Sequence, residues 1–160
     1  MQDTKEYYLI NQLSLITWLT DRTLRNYISA GILEGEKVNG TWHFTIEQIE
    51  AFITHPSVRP SILAKNNSLV YDFLIERHEQ RSEMCVILDI PGKNKNTISS
   101  YFCDRISNED FHNIRFSFDG ISDSARVILK GNTEEVLLLV NGFTHNWTKK
   151  TCTEQILLCA

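Results

Sequence analysis

The chain has 160 residues and a formal net charge of −4, with 42% hydrophobic and 22% charged residues. Those proportions are globular and exclude a wholly disordered chain. The acidic balance excludes a generally basic nucleic-acid binder, so any DNA contact has to come from a local surface. The length suits one ordinary domain, or a small domain of about 60 residues followed by a second of about 90–100.

The start, Met1-Gln2-Asp3-Thr4-Lys5-Glu6, lacks the basic stretch and apolar run of a signal peptide. Apolar runs such as 136–140 are far too short to span a bilayer. A soluble, cytoplasmic protein with no membrane contact is expected. Cys85, Cys103, Cys152 and Cys159 are irregularly spaced and include no Cys-x-x-Cys pair. A disulfide framework is not expected. Cys85 and Cys103 lie in apolar contexts and read as buried thiols, whereas Cys152 and Cys159 sit near the end. No clear metal-ligand set is present, and no cofactor is expected.

From residue 8 the first signal is Leu9, Leu13 and Ile16 at helical spacing, which predicts a short helix over 10–17. A second helix is expected over about 20–30. Thr20 can cap it, Asp21 suits the positive end of its dipole, and Gly31 can terminate it in a left-handed conformation. Leu24 and Ile28 share the face that would bury against the first helix. Arg22, Thr23, Asn26 and Ser29 fall elsewhere, and Arg25 can reach out from the side. Two arginines, a threonine and an asparagine suit a helix in a major groove: Arg can bind guanine or phosphate, and Asn can bind adenine. Only Trp18-Leu19-Thr20 separates the helices, the arrangement of a helix-turn-helix. Asn39-Gly40 is a strong two-residue hairpin turn, so 34–44 reads as a β-hairpin with Trp42 and Phe44 on one face. Thr45-Ile46-Glu47-Gln48 is a capping box that opens a helix from 46 to about 54.

The motif at 20–27, then Ala30-Gly31-Ile32-Leu33, the hairpin, and Phe44-Thr45-x-x-Gln48-Ile49 follow one another in an order that resembles the winged helix-turn-helix of MerR-type transcription regulators. The resemblance covers about residues 8–53, roughly a third of the chain. It implies that the second helix enters the major groove while the hairpin, as a wing, touches the flanking backbone. Arg22, Thr23, Arg25 and Tyr27 would then contact DNA, with Lys37 and Asn39 on the wing. Asn26 is added from position and chemistry alone, since the family often has Tyr there. Tyr27 reads equally as core or as a phosphate contact, and Arg22 and Arg25 have the alternative of merely solvating a surface helix.

The chain also departs from the family. Residues 1–60 hold five Lys/Arg against seven Asp/Glu, a balance of −2, and Glu34 and Glu36 flank the wing. Few phosphates can be neutralised, which implies modest affinity unless the protein dimerises. The long pairing helix usual after the family's DNA-binding domain has no counterpart in sustained heptads here.

His55-Pro56 to Pro60-Ser61 breaks the helical pattern and reads as a linker. The expected domains are therefore 1–58, MerR-like, and 59–160, an α+β dimerisation or effector-sensing unit. Within the second, a helix is expected from 61 to 75, which Asn66-Asn67-Ser68 either interrupts or caps. A buried strand is expected at 84–90, a polar turn with two solvated lysines at 93–96, and a helix at 97–106. Strands follow at 114–118, 125–129 and 136–140, with a turn at 130–133. The tail reads as a short docking helix or a strand. Consecutive strands on short loops favour an antiparallel sheet with helices on one face. The overall fold class is α+β: a winged helix-turn-helix, then an antiparallel sheet with flanking helices.

No catalytic constellation is evident. The stretch from Pro91 to Thr97 lacks the spacing of a phosphate loop, and His78-Glu79 has Ser82 where a second His would complete a zinc motif. The expected function is sequence-specific binding of double-stranded DNA as a transcription regulator. The expected partners are a second copy in a homodimer and a small-molecule effector. The alternative is a protein-interaction adaptor whose winged helix no longer binds DNA.

Overall fold

The computed structural model describes residues 7–77, 79–92, 94–108, 111, 113–120 and 123–158, the last twelve of these by backbone alone. His78, Lys93, His112 and Cys159, and the side chain of Cys152, lie outside that description. The chain is α+β, with two small three-stranded antiparallel sheets.

The first third runs β1 (Tyr8–Leu9), α1 (Ile10–Thr17), α2 (Asp21–Ser29), β2 (Glu36–Val38), β3 (Thr41–Phe44) and α3 (Ile46–Thr54). Each start and stop has its local cause. Thr20 accepts from the Thr23 amide and Asp21 follows in the first turn, which begins α2. Gly31, at φ +71°, ends it: the Ile32 and Gly31 amides donate back to the Tyr27 and Ile28 carbonyls, the two bonds of a Schellman stop. Asn39 and Gly40 both have positive φ, 49° and 83°, so the two-residue turn matches the twist of its strands. Thr45 and Gln48 exchange capping bonds at the head of α3. The sheet order is β1-β3-β2, with Tyr8 opposite Phe44 and Leu9 opposite His43. The strand β1 is a finding beyond the sequence reading; two residues are too few to show an alternation.

The remainder runs α4 (Arg59–Ile75), β4 (Glu83–Pro91), α5 (Lys95–Asn108), β5 (Arg115–Asp119), β6 (Ser124–Asn132) and α6 (Thr133–Leu158). The expected linker is a turn over 55–58, and its second half is the start of α4. Pro60 sits in the first turn, where a missing N–H breaks no helical bond, so proline marks a beginning here rather than a break. Helix α4 runs unbroken through Asn66, whose Oδ1 accepts from Ser117 Oγ at 2.5 Å on β5. The polar turn shrinks, because Lys95 already belongs to α5 and pairs with Glu50 at 3.0 Å. Strand β6 continues through Lys130 and Gly131, where a turn was expected.

The expected strand at 136–140 is helix. Asn132 Oδ1 accepts from the Glu134 and Glu135 amides, a helix-starting cap. Val136, Leu139 and Phe143 then bury one stripe, while Leu137 and Leu138 stay exposed. A short, continuous apolar run reads the same as either element, and here the cap decides between them.

The second sheet has the order β4-β6-β5. Alternation gives its two faces different neighbours. Phe116 and Phe118 of β5, with Ala125, Val127 and Leu129 of β6, form the buried apolar side. Phe102 of α5 stacks on Phe116 at 5.7 Å and meets Phe143 of α6 at 5.2 Å. The opposite face carries Ser117, Asp119 and Lys130, which bond to Asn66 and Arg59 of α4 and to Glu76 at its end, and Arg115 beside Lys130. Helices therefore cover both faces, correcting the expectation of one. Cys103 is buried, whereas Cys85 is only half-buried on the edge strand β4.

The expected boundary at 58/59 coincides with the N-terminus of α4, and the buried apolar cluster runs across it, from Tyr8 to Phe143. The Tyr8 hydroxyl lies 2.5 Å from Asn96 Oδ1 and 3.1 Å from Ser100 Oγ on α5. Burial pushes its pKa up to about 12. Gln12 donates to Asp104, and Arg59 pairs with Asp119 at 2.7 Å. Arg59, within the expected linker, is thus half-buried and ties α4 to β5. Among the described residues no helix is long and apolar enough to cross a membrane.

Candidate nucleic-acid interface

Helix α2 sorts its side chains by angle. Leu24 is fully buried and Ile28 packs half-buried against the core. Arg22, Arg25, Asn26 and Ser29 recur at i, i+3, i+4 and i+7, and all four are exposed. They form one solvent-facing stripe of two guanidinium groups, an amide and a hydroxyl. Arg22 has no ion-pair partner among the described residues, and the Asn26 side chain has no hydrogen-bond partner there.

Arg25 differs. Its Nε donates to Asp21 Oδ2 at 2.6 Å, one helical turn back. The two side chains are 55% and 53% exposed, so water screens the pair and its net worth is about 0.3–0.5 kcal/mol. A competing phosphate or guanine can draw the guanidinium away at that small cost.

Thr23 and Tyr27 lie beside the stripe. Thr23 is half-buried and its hydroxyl lies 2.8 Å from that of Thr20, so it is occupied in capping. Tyr27 is half-buried, edge-on to Phe52 at 5.3 Å. The structure gives Tyr27 a packing role. On the hairpin, Lys37 is exposed, with its ammonium 5.9 Å from the ring of its cross-strand partner Trp42. Asn39 is exposed at the tip. Of the seven residues singled out in the sequence, Arg22, Arg25 and Asn26 share one stripe. Lys37 and Asn39 stand on a separate element, and Thr23 and Tyr27 are partly withdrawn.

The three-residue link before α2 is held by distant residues that the sequence does not signal. Trp18 ends α1 at φ 60°, a left-handed conformation that a bulky side chain adopts at a cost of roughly 1 kcal/mol. The second half of the chain braces it. Lys65 Nζ of α4 donates to the Trp18 carbonyl at 2.5 Å, and the Arg115 guanidinium of β5 lies 5.4 Å from its ring. Ser14 Oγ donates to the Leu19 carbonyl at 2.5 Å. The angle at which α2 leaves α1 is thus fixed from outside the first third. No periodicity or motif in a single sequence signals a brace between residues 47 and 97 positions apart.

Comparison with protein-family models, with curated proteins and with solved structures returns no match for this chain.

Proposed function

We propose that this protein is a sequence-specific, double-stranded DNA-binding transcription regulator. In this reading helix α2 enters the major groove, the hairpin β2–β3 acts as a wing on the flanking backbone, and the unit is the winged helix-turn-helix of MerR type that the sequence resembles. The observation that carries the reading is the exposed stripe of Arg22, Arg25, Asn26 and Ser29 opposite the buried Leu24. Both arginines can take guanine or phosphate, and the free amide suits adenine. The Schellman stop, the two-residue turn of the hairpin and the braced link support the reading, because they make a rigid platform for those side chains.

The protein acts as a homodimer in this proposal. A single copy offers Arg22, Arg25 and Lys37 to phosphates, and Asp21, Glu34 and Glu36 oppose them. Two copies reading an inverted repeat double the contacts. Each phosphate neutralised by a side-chain cation releases counterions and adds about 0.9 to the logarithmic salt slope, so the slope is about 3 or less per copy.

The test is binding to a mixed duplex pool, followed by fluorescence anisotropy across a salt series. The reading expects binding that weakens with salt and is further weakened by Arg22→Ala. Binding that ignores both salt and Arg22→Ala would contradict it. The second reading, an adaptor that binds protein, is favoured by the Asp21–Arg25 pair and by the −2 balance of residues 1–60. It expects no salt-sensitive DNA binding at all.

A further inference from the structure

A cavity of about 500 Å3 opens at one end of the second sheet, a volume in the range of small-molecule sites. Its charged lining is Glu76, Arg81, Glu83, Arg115, Lys130 and Glu135. Three cations face three carboxylates, so a guest with both charges suits the cavity better than a simple anion or cation.

Two of these groups are incompletely served. Lys130 lies in the middle of a row, directly opposite Cys85 on β4 and Arg115 on β5. Its side chain is 7% exposed, and its ammonium, with three N–H donors, meets Glu76 at 3.4 Å and lies 5.8 Å from the Phe73 ring. Glu135, in the first turn of α6, keeps a buried Oε2 with no donor. One lining group thus has a single long contact for its three donors, and another lacks a donor. A buried polar group without its partner calls for an explanation such as a ligand.

Arg115 has a second attachment. The same guanidinium that borders the cavity lies over Trp18, the left-handed residue that sets the departure of α2.

We propose that this cavity binds a small zwitterion of the free amino-acid class, its carboxylate held by Lys130 and Arg115 and its ammonium by Glu135, and that Arg115 leaves the Trp18 ring when it takes the carboxylate. The two placements of Arg115 are the two states whose balance the ligand shifts. The binding step stands by itself. Its meaning as control of DNA binding rests on the function proposed above.

The experiment uses the whole chain without DNA. Thermal unfolding of the unaltered protein is followed with each of the twenty common L-amino acids at about 10 mM, a concentration that detects dissociation constants as weak as about 1 mM. Tryptophan emission is then read from a Trp42→Phe, Trp147→Phe protein, in which Trp18 is the remaining indole. At least one amino acid raises the midpoint and changes Trp18 emission. Lys130→Met and Glu135→Gln each weaken its binding tenfold or more, and Glu135→Gln decides if Lys130→Met fails to fold. Arg115→Lys retains weakened binding without the change in emission. No shift with any of the twenty would overturn the proposal, as would binding that both variants leave unchanged. A protein that binds an amino acid in this way but never binds DNA keeps the cavity and removes the regulatory function.

Discussion

Trp18 occupies a backbone region that glycine adopts freely and tryptophan does not, and it stays there because Lys65 and Arg115 hold its carbonyl and its ring. The residues of the proposed interface need no such support, since a helix exposes them by spacing alone. That is why Arg22, Arg25 and Asn26 were legible in the sequence and the brace was not. Thr23 and Tyr27 were half legible: periodicity puts them beside the stripe, but only the packed structure gives Thr23 its capping partner and Tyr27 its contact with Phe52. In the DNA-binding reading, Asn26→Ala relaxes the preference at a single base pair by about 1–3 kcal/mol, whereas Lys37→Ala weakens all sequences alike and lowers the salt slope by about 1. Anisotropy with a preferred duplex and its single-base variants separates the two outcomes. Tyr8 gives a prediction in pH. Its phenol is held neutral by burial, with a folded pKa of about 12 against an ordinary 10.0. The folded chain therefore keeps this proton after the unfolded chain has lost it. The contribution is intact below about pH 10 and is lost as the pH rises from there toward 12, by at most about 2–3 kcal/mol. Urea midpoints between pH 9 and 11.5 fall more steeply for the unaltered protein than for Tyr8→Phe; parallel curves would contradict this.

Elements were readable where capping and turn chemistry is local. Thr20, Gly31, Asn39-Gly40 and Thr45 with Gln48 all act through neighbours within five residues, and each marks a helix end or a hairpin in the structure. Replacing Thr45 with Ala removes the acceptor for the Gln48 amide and costs about 1 kcal/mol, measured as a lowered urea midpoint at unchanged slope. An unaffected midpoint would mean that α3 is held by its buried Ile49, Phe52 and Ile53 alone. Local signals failed where one residue type has two uses. Pro60 breaks a helix interior but fits a helix start, and the apolar run 136–140 fits a strand or a buried helix face. Asn132 decides the second case, because its side chain caps α6, yet in the sequence an Asn after a Gly also reads as a turn. Strand β1 exists because Tyr8 and Leu9 find β3, partners 36 and 34 residues away that no short window contains.

Across the whole molecule the apolar cluster is continuous, and polar ties cross from the first third to the rest at Tyr8, Gln12, Trp18 and Glu50. The chain is therefore expected to unfold in one transition, with tryptophan fluorescence and far-ultraviolet dichroism giving coincident curves. A fragment of residues 1–58 would lose the partners of Tyr8 and the brace on Trp18, and is expected to be largely unfolded alone; a fragment that folds stably would contradict this. The same continuity joins the cavity at Lys130 to the link before α2 through Arg115. Long-range ties of this kind, and the cavity they border, depend on how distant segments meet and leave no pattern along the chain. The proposed function rests on the α2 stripe reading DNA. The measurement that meets it most directly is selection from a random duplex library by the purified protein, with Arg25→Ala in parallel, followed by sequencing of the bound fraction. Enrichment of one inverted-repeat motif that is lost with Arg25→Ala is expected, whereas no enrichment from the unaltered protein, even at low salt, would contradict DNA reading by α2.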